Sequence, residues 1–262
     1  MKRFLPIILS LLSFEAQASS GFTYMGELSH KLHVPVHILN FILVGILLTL
    51  AGLLYRTKLA GVKNTIIPDK GITYRNLVEA YGKFIYTQCV AVLGEKKAPK
   101  YFPFVATIFL IILISNLIGL VPGFGSPTGA LNTTLALGAF SFIYYNIKGC
   151  KEQGTLNYLK HFAGPLWYLA FLIFPIEILS NFIRPMSLAL RLQGNMMGDH
   201  KVLETFSGLE ILGLKLSLFV PMPFYLLGLL VCCIQAYVFT MLSMVYISLA
   251  TEHHDHDEAH AH

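Results

Sequence analysis

Residues 165–206 read PLWYLAFLIFPIEILSNFIRPMSLALRLQGNMMGDHKVLETF, an apolar stretch about twice as long as one membrane crossing requires. Polar side chains that a simple lipid-facing helix does not carry interrupt it: Glu177, Asn181, Arg184, Arg191, Gln193, Asn195, Asp199 and His200. The stretch is too long to cross a bilayer perpendicularly. It therefore predicts a steeply tilted or partly in-plane helix, bent near Pro175 and Pro185.

The composition of the whole chain agrees with a membrane environment. Of 262 residues, 55% are hydrophobic and only 13% are charged, about half of the ~25% that is usual for soluble domains. The net charge of +5 does not indicate a nucleic-acid partner, because the basic residues form short clusters between apolar runs. We expect a single membrane domain over residues 21–251.

The apolar runs predict an all-α integral membrane protein with about five transmembrane helices, the last two long and forming a tilted hairpin. The predicted spans are residues 36–55, 102–121, 131–147, 165–206 and 221–250, and an amphipathic helix over residues 74–93 is expected on the cytoplasmic membrane surface. Asn132, Thr133 and Thr134 are expected to cap the third span. By the positive-inside rule, the N-terminus lies outside and the C-terminus in the cytoplasm.

The two ends of the chain differ from this domain. Residues 1–20 begin with Lys2 and Arg3 before an apolar run, which fits either a signal peptide or an uncleaved apolar tail. Residues 252–262 form a tail rich in histidine and acidic residues that we expect to be disordered and cytoplasmic. We expect no metal site and no cofactor, since the tail resembles a metal binder by composition only and the four cysteines lack metal-binding or disulfide spacing.

Ionisable residues inside an apolar segment carry the functional signal. A charge at the bilayer centre costs about 2.5 to 3.5 kcal/mol on insertion scales, so such residues usually face a cavity or a partner. Glu177, Arg184 and Arg191 are seven residues apart, and Asn195 follows Arg191 by four. These side chains therefore share nearly one helical face.

Arg191 is expected to act as a fixed positive charge at the centre of a proton path. Arginine does not deprotonate in proteins, so it cannot relay protons, but it can hold a passing carboxylate ionised and block a direct leak. Glu177 lies roughly 21 Å before it along the helix and His200 roughly 13 Å beyond. We assign Glu177 to an inner access path, and Asp199 and His200, with Glu204 as a further candidate, to an outer one.

A structural role is the alternative for several of these residues. Glu177, Arg184 and Arg191 can pair with one another inside a bundle, an interpretation that suits Arg184 better than Arg191, which has no acidic residue within four positions. Gln235 on the last span can pair with Arg191 or form a structural interhelical bond. Supporting positions are Arg184, Tyr246, Asn132 and Asn116.

The run Pro185-Met186-Ser187-Leu188-Ala189-Leu190-Arg191-Leu192-Gln193-Gly194-Asn195-Met196 resembles the signature around the essential arginine of subunit a of F-type ATP synthases. Similar elements occur in the same order at residues 116–123, 131–137 and 234–239. The resemblance covers about residues 35–251.

The resemblance implies a non-catalytic stator subunit of the bacterial inner membrane, with two half-channels that lead protons to a rotating ring of c subunits. Other implied partners are the b subunit of the stator stalk, the rest of the ATP synthase, and lipid. Arg191 would face the ring carboxylate, Asn195 and Gln235 would support it, and Glu177 would line the cytoplasmic half-channel. Bacterial members often carry a histidine at the position of Gly228 and an acid at that of His200, so this chain departs from the pattern there.

Two other classes of function are alternatives to the rotary-motor channel. A self-contained secondary ion transporter predicts internal repeats and a substrate site with its own acidic partners, and the sequence offers little of either. A structural anchor, whose buried charges only orient helices, predicts that Arg191→Lys leaves proton transport intact.

Overall fold

The computed structural model describes residues 24–60, 71, 73–121, 124–154, 158, 167–207 and 221–251. These residues form six α-helices and a 3-10 turn at Pro127–Gly129: α1 Tyr24–Leu32, α2 Val36–Ala60, α3 Tyr74–Gly119, α4 Leu131–Gln153, α5 Trp167–Ser207 and α6 Pro221–Thr251. The predicted all-α architecture is confirmed over this part of the chain. The predicted signal segment 1–20 and the tail 252–262 lie outside the described residues.

Four helices of the described part are long and apolar enough to cross a membrane: α2, α3, α5 and α6. The remaining predicted span, the third at residues 131–147, corresponds to α4, whose 23 residues extend about 35 Å. It is not among the four, and its polar side chains, such as Thr134 and Ser141, are buried against other parts of the protein. The composition of α4 alone therefore does not mark it as a membrane span, because its polar side chains lie inside the protein.

Helix α3 joins the predicted surface helix to the second predicted span, with a break at Gly94. The φ of Gly94 is 78° and its ψ is 163°, a conformation that glycine adopts without a Cβ penalty. The Tyr81 hydroxyl donates to the carbonyl of Ala106 at 2.7 Å, and the Tyr86 and Phe102 rings are 5.8 Å apart. The first half of α3 thus folds back along the second half.

The helix over residues 74–93 carries apolar side chains both on its exposed surface and in the core. Leu77 and Phe84 are exposed, whereas Ile85, Cys89 and Leu93 are buried. The three buried residues follow one another at intervals of four, so they form a stripe along one side of the helix. This stripe belongs to the central core because the fold-back at Gly94 presses it against the bundle.

The core lies among α3, α4, α5 and α6. Helix α6 packs against the other three, and α5 packs against α4 and α6. Fully buried members of this core include Ile112, Leu192 and Phe239. Helix α5 has 41 residues and α6 has 31, so the two long final helices were predicted correctly.

Glycines allow the closest helix contacts. A Cβ on Gly138 of α4 would lie 2.8 Å from the carbonyl oxygen of Pro185 in α5, and one on Gly149 would lie 2.8 Å from that of Ala250 in α6. Small residues of this kind let helix backbones approach closely in membranes. Helix α4 is therefore wedged between the two helices that carry the candidate site.

The predicted cap of α4 was wrong. The N-cap residue is Ala130, and no side chain caps the helix. Thr134 instead donates its hydroxyl to the Leu131 carbonyl at 3.1 Å, and Asn132 is exposed. The predicted capping residues lie two to four positions after the N-cap residue Ala130, because the turn at Pro127–Gly129 leads directly into the helix.

The last turn of α6 is capped by side chains of other helices. Lys97 Nζ donates to the Thr251 carbonyl at 2.7 Å, and Gln153 Nε2 donates to the Ala250 carbonyl at 3.1 Å. A cation at a helix C-terminus satisfies free carbonyls and favours the helix dipole. These contacts fix the axial position of α6 relative to α3 and α4.

Candidate functional site

The polar stripe of α5 begins with an ion pair. Arg184 Nη2 lies 3.6 Å from Glu177 Oε1, and both side chains are about one-third exposed. The Arg184 guanidinium also lies 5.5 Å from the centre of the Tyr246 ring of α6, a distance suited to a cation–π contact. The structure therefore forms the Glu177–Arg184 pair that the sequence offers as an alternative, and it adds Tyr246 as a partner of Arg184.

A buried hydrogen-bond network lies beside this pair, between α4 and α5. The Tyr145 hydroxyl donates to Asn181 Oδ1 at 2.8 Å, and Asn181 Nδ2 donates to Asn146 Oδ1 at 3.2 Å. The Tyr158 hydroxyl donates to the same Asn146 oxygen at 2.8 Å. The network holds Asn181 of α5 against α4. Because Asn181 lies three residues before Arg184 and four after Glu177, the network also fixes the position of these two side chains.

The members of this network have no role that the sequence alone predicts. Asn181 was recognised only as one polar residue of an apolar stretch, and Tyr145, Asn146 and Tyr158 were missed. A usable signal existed in the spacing, since Asn181 shares the face of Glu177 and Arg184. Nothing in the sequence of α4 pointed to its partners across the helix interface.

Arg191 follows Arg184 by seven residues on α5 and differs from it in exposure. It is exposed, while the neighbouring Leu188, Leu192 and Met196 are buried in the core. Within the described residues Arg191 makes no hydrogen bond or ion pair, and so it does not join Glu177 and Arg184 in one mutually paired group.

Asn195 and Gln235, the predicted supporters of Arg191, are both half-buried. Neither is hydrogen-bonded to Arg191 in the described structure. Gln235 lies on α6, whose neighbouring residue Ala236 is fully buried. The predicted pairing of Gln235 with Arg191 across the α5–α6 contact is therefore not formed as a direct hydrogen bond.

The residues assigned to the outer path lie near the end of α5. Asp199 is half-buried and lies near Cys232 of α6. The side chains of His200 and Glu204 lie outside the described residues. The structure thus places one of the three predicted acidic or imidazole groups beside α6.

Asn116 of α3 belongs to a buried polar cluster on the same side of α6. Thr128 Oγ1 donates to Asn116 Oδ1 at 2.7 Å, and Asn116 Nδ2 donates to the Cys232 carbonyl at 3.4 Å. Asn132, the other supporting asparagine, is exposed and takes no part. Asn116 therefore links the turn before α4 to the middle of α6.

Gly228 of α6 is buried, and a Cβ there would lie 2.9 Å from Cδ2 of Leu120. A side chain as large as histidine would require Leu120 to move. Glycine at position 228 therefore fits the close contact between α3 and α6, which leaves little room for a side chain.

No group of three or more histidine, cysteine, aspartate or glutamate side chains in the described ranges is arranged to hold a metal ion. The histidine-rich tail lies outside these ranges. The four cysteines are free; Cys89 and Cys232 are buried, Cys150 is half-buried and Cys233 is exposed.

Comparisons with known proteins agree with this architecture. Residues 36–248 match the family model described as ATP synthase A chain. The ATP synthase subunit a of Bdellovibrio bacteriovorus is 43% identical over 205 residues, covering 78% of this chain and 86% of the relative. That of Campylobacter concisus is 38% identical over 238 residues, covering 90% and 98%. The match includes every helix from α2 to nearly the end of α6, and the chain belongs to the ATP synthase A chain family.

Proposed function

We propose that this chain is the proton-translocating stator subunit of an F-type ATP synthase in a bacterial inner membrane. Its task is to lead protons to and from carboxylates on a rotating ring of c subunits, while ATP is made elsewhere in the complex. Its other partners are the b subunit and lipid, and the chain catalyses no bond chemistry itself. The names of its relatives and its family support this assignment.

The observation that carries the mechanism is the position of Arg191. A charge on a membrane helix is expensive without a partner, yet Arg191 is exposed and unpaired within the described residues. A carboxylate supplied by a neighbouring subunit would relieve that cost. Arg191 would hold the carboxylate ionised as it passes, and its permanent charge would keep protons from crossing directly between the two access paths.

Basic residues support the proposed orientation. Lys58 lies in the last turn of α2 and Lys151 in the last turn of α4, while Lys97 and Lys100 follow the break in α3. The segment between α3 and α4, residues 120–130, carries no charge. By the positive-inside rule the lysine-rich end is cytoplasmic, which places the N-terminus outside and makes α4 a fifth crossing.

The inner access path would include Glu177. Its ion pair with Arg184 keeps a carboxylate within the membrane domain, and the Tyr246 ring also contacts Arg184. The outer path would include Asp199, together with His200 and Glu204. Asn195 and Gln235 would provide polar groups beside Arg191, where the ring carboxylate arrives.

A purely structural role has its best support at Arg184. This residue has an acidic partner and an aromatic partner within the chain, and its neighbour Asn181 is locked to α4. The same argument does not extend to Arg191, which has neither. Arg184 therefore serves as the natural control for experiments on Arg191.

The experiment compares ATP-driven proton pumping by inverted membrane vesicles that carry Arg191→Ala, Arg191→Lys or Arg184→Ala. Assembly of the complex is verified for each variant. Arg191→Ala is expected to abolish pumping, and Arg184→Ala is expected to retain a measurable part of it. Normal pumping by an assembled Arg191→Ala complex would refute the mechanism and favour the structural anchor.

A further inference from the structure

We propose that Asn40 and Ser115 line a water-filled entry to the outer proton path, where residues 124–130 cover the ends of α2 and α3. The inference rests on the proposed function and deepens it. It concerns two residues to which neither the sequence analysis nor the comparisons gave a role.

Asn40 of α2 is the first observation. Its side chain is 1% exposed, and Nδ2 donates to the Gly125 carbonyl at 2.7 Å. Its Oδ1 has no hydrogen-bond partner among the described residues. Rotating the carboxamide by half a turn would not help, because Oδ1 would then oppose the Gly125 oxygen.

Ser115 of α3 is the second observation. It is fully buried, and its Oγ also lacks a hydrogen-bond partner among the described residues. A serine inside a helix commonly donates to the carbonyl four residues earlier, and this one does not. A buried polar group without a partner costs about 1 to 3 kcal/mol, and in folded proteins water usually serves such groups.

Both groups lie beside the same short segment. Asn40 is bonded to Gly125, and Ser126 Oγ donates to the backbone carbonyl of Ser115 at 3.4 Å. One turn further along α3, a Cβ on Gly119 would lie only 2.4 Å from Cβ of Ser126. The segment is therefore pressed onto the face of α3 that carries Ser115.

Polar groups continue inward from this point. The Ser126 and Thr128 hydroxyls are 2.7 Å apart, Thr128 donates to Asn116 at 2.7 Å, and Asn116 donates to the Cys232 carbonyl at 3.4 Å. Cys232 precedes Gln235 by three residues, about 4.5 Å along α6. A polar lining thus extends from the outer end of the bundle towards the level at which Gln235 would support Arg191.

A competing route along the α3–α6 contact is filled by hydrocarbon. Gly228, one turn before Cys232, packs so closely on Leu120 that an added Cβ would lie 2.9 Å from it. The side of Asn40 and Ser115 instead offers buried polar atoms without a hydrogen-bond partner among the described residues, and such atoms can bind water.

The test measures whether outside water reaches these positions. Single cysteines are introduced as Asn40→Cys or Ser115→Cys in an otherwise cysteine-free chain, within the assembled complex. Ag⁺ is applied to the outer face of spheroplasts, and the thiol that remains free is quantified by maleimide labelling and mass spectrometry. The matched control is Ser141→Cys, since Ser141 is equally buried but its Oγ donates to Ser243 Oγ at 3.0 Å.

The thiols at positions 40 and 115 are expected to react with Ag⁺ much faster than the thiol at 141, and proton pumping is expected to fall as they react. Thiols at 40 and 115 that are as inert as the control would overturn the inference. Reaction without any loss of pumping would also overturn it.

Ser115→Ala provides a second variant that does not endanger folding, because it deletes a hydroxyl that has no protein partner. Thermal stability should be unchanged or higher, whereas pumping should fall by about tenfold if one hydrogen bond of ~1.4 kcal/mol to the water path is lost. Wild-type pumping by this variant would contradict the inference.

Failure of this inference is distinguishable from failure of the proposed function. Thiol accessibility depends on water at the entry and does not depend on Arg191. Reactive thiols together with normal pumping by Arg191→Ala would refute the proposed function alone. Inert thiols together with loss of pumping by Arg191→Ala would refute the entry alone.

Discussion

Gly138→Ala should weaken the protein at the contact that positions the arginine helix. The added Cβ would lie 2.8 Å from the carbonyl oxygen of Pro185 and 3.5 Å from Cβ of Ala189. The first neighbour is a backbone atom, which cannot rotate aside as the end of a side chain can. Helix α5 must therefore retreat by roughly half an ångström to restore an ordinary contact.

The expected cost follows from measurements on overpacked interiors. One extra methyl group in a tightly packed contact costs about 1 to 3 kcal/mol, and one or two kcal/mol changes the ratio of folded to unfolded protein by a factor of about 5 to 30. Pro185 precedes Arg191 by six residues on the same helix. The displacement should therefore reduce proton pumping as well as stability.

The assay heats the purified complex and measures how much of this chain remains assembled, in parallel with pumping in vesicles. Gly45→Ala in α2 is the matched control, since no atom lies within 4 Å of its added Cβ. Replacing a helical glycine in open space should be neutral or should stabilise the protein by up to about 1 kcal/mol. If Gly138→Ala is as well tolerated as Gly45→Ala, the close α4–α5 contact is refuted.

Two further predictions concern other contacts of the bundle. Burial tends to raise the pKa of Glu152, but hydrogen bonds and the charge of Lys100 outweigh it and hold that pKa below its ordinary 4.5. The ion pair of Glu152 with Lys100 should therefore stabilise the fold above pH 4.5 and lose this effect as the pH falls further. The difference in melting temperature between wild type and Glu152→Gln should shrink accordingly as the pH is lowered. A difference that stays constant across this range would contradict the ion pair. Gly119→Ala should destabilise more than Gly228→Ala, because the first Cβ would meet Ser126 close to its backbone and the second only the end of a flexible side chain. Equal melting temperatures for the two variants would be inconsistent with the described contact.

The elements of the fold were largely accessible from the sequence, because apolar runs of sufficient length have few alternatives in a bilayer. The long α5 was predicted within one or two residues at each end. The fold-back at Gly94 was not predicted, since it depends on tertiary contacts such as that of Tyr81 with Ala106. A lone glycine in a helical pattern does not reveal the direction that the chain takes afterwards.

Site residues were predictable from the sequence where a charged side chain is energetically costly in a membrane. They were less predictable where their hydrogen-bond or ion-pair partners lie on other helices. An arginine in an apolar segment indicates a functional site by its residue type alone, so the sequence was enough to predict a role for Arg191. The sequence offered the pairing of Arg184 with Glu177 as an alternative, whereas the contact of Arg184 with Tyr246 and the network around Asn181 required the structure. Asparagines and tyrosines are ordinary in sequence and become informative only when their hydrogen-bond partners are known.

The central claim is that the charge of Arg191 separates two water-filled paths, and passive proton leak tests it most directly. The catalytic head is removed from inverted vesicles, a potential is imposed, and proton flux is compared between wild type, Arg191→Ala and Arg184→Ala. We predict a raised flux for Arg191→Ala and a flux close to wild type for Arg184→Ala, with assembly intact in all three. A flux for Arg191→Ala no higher than that of wild type would contradict the role of Arg191 as the barrier.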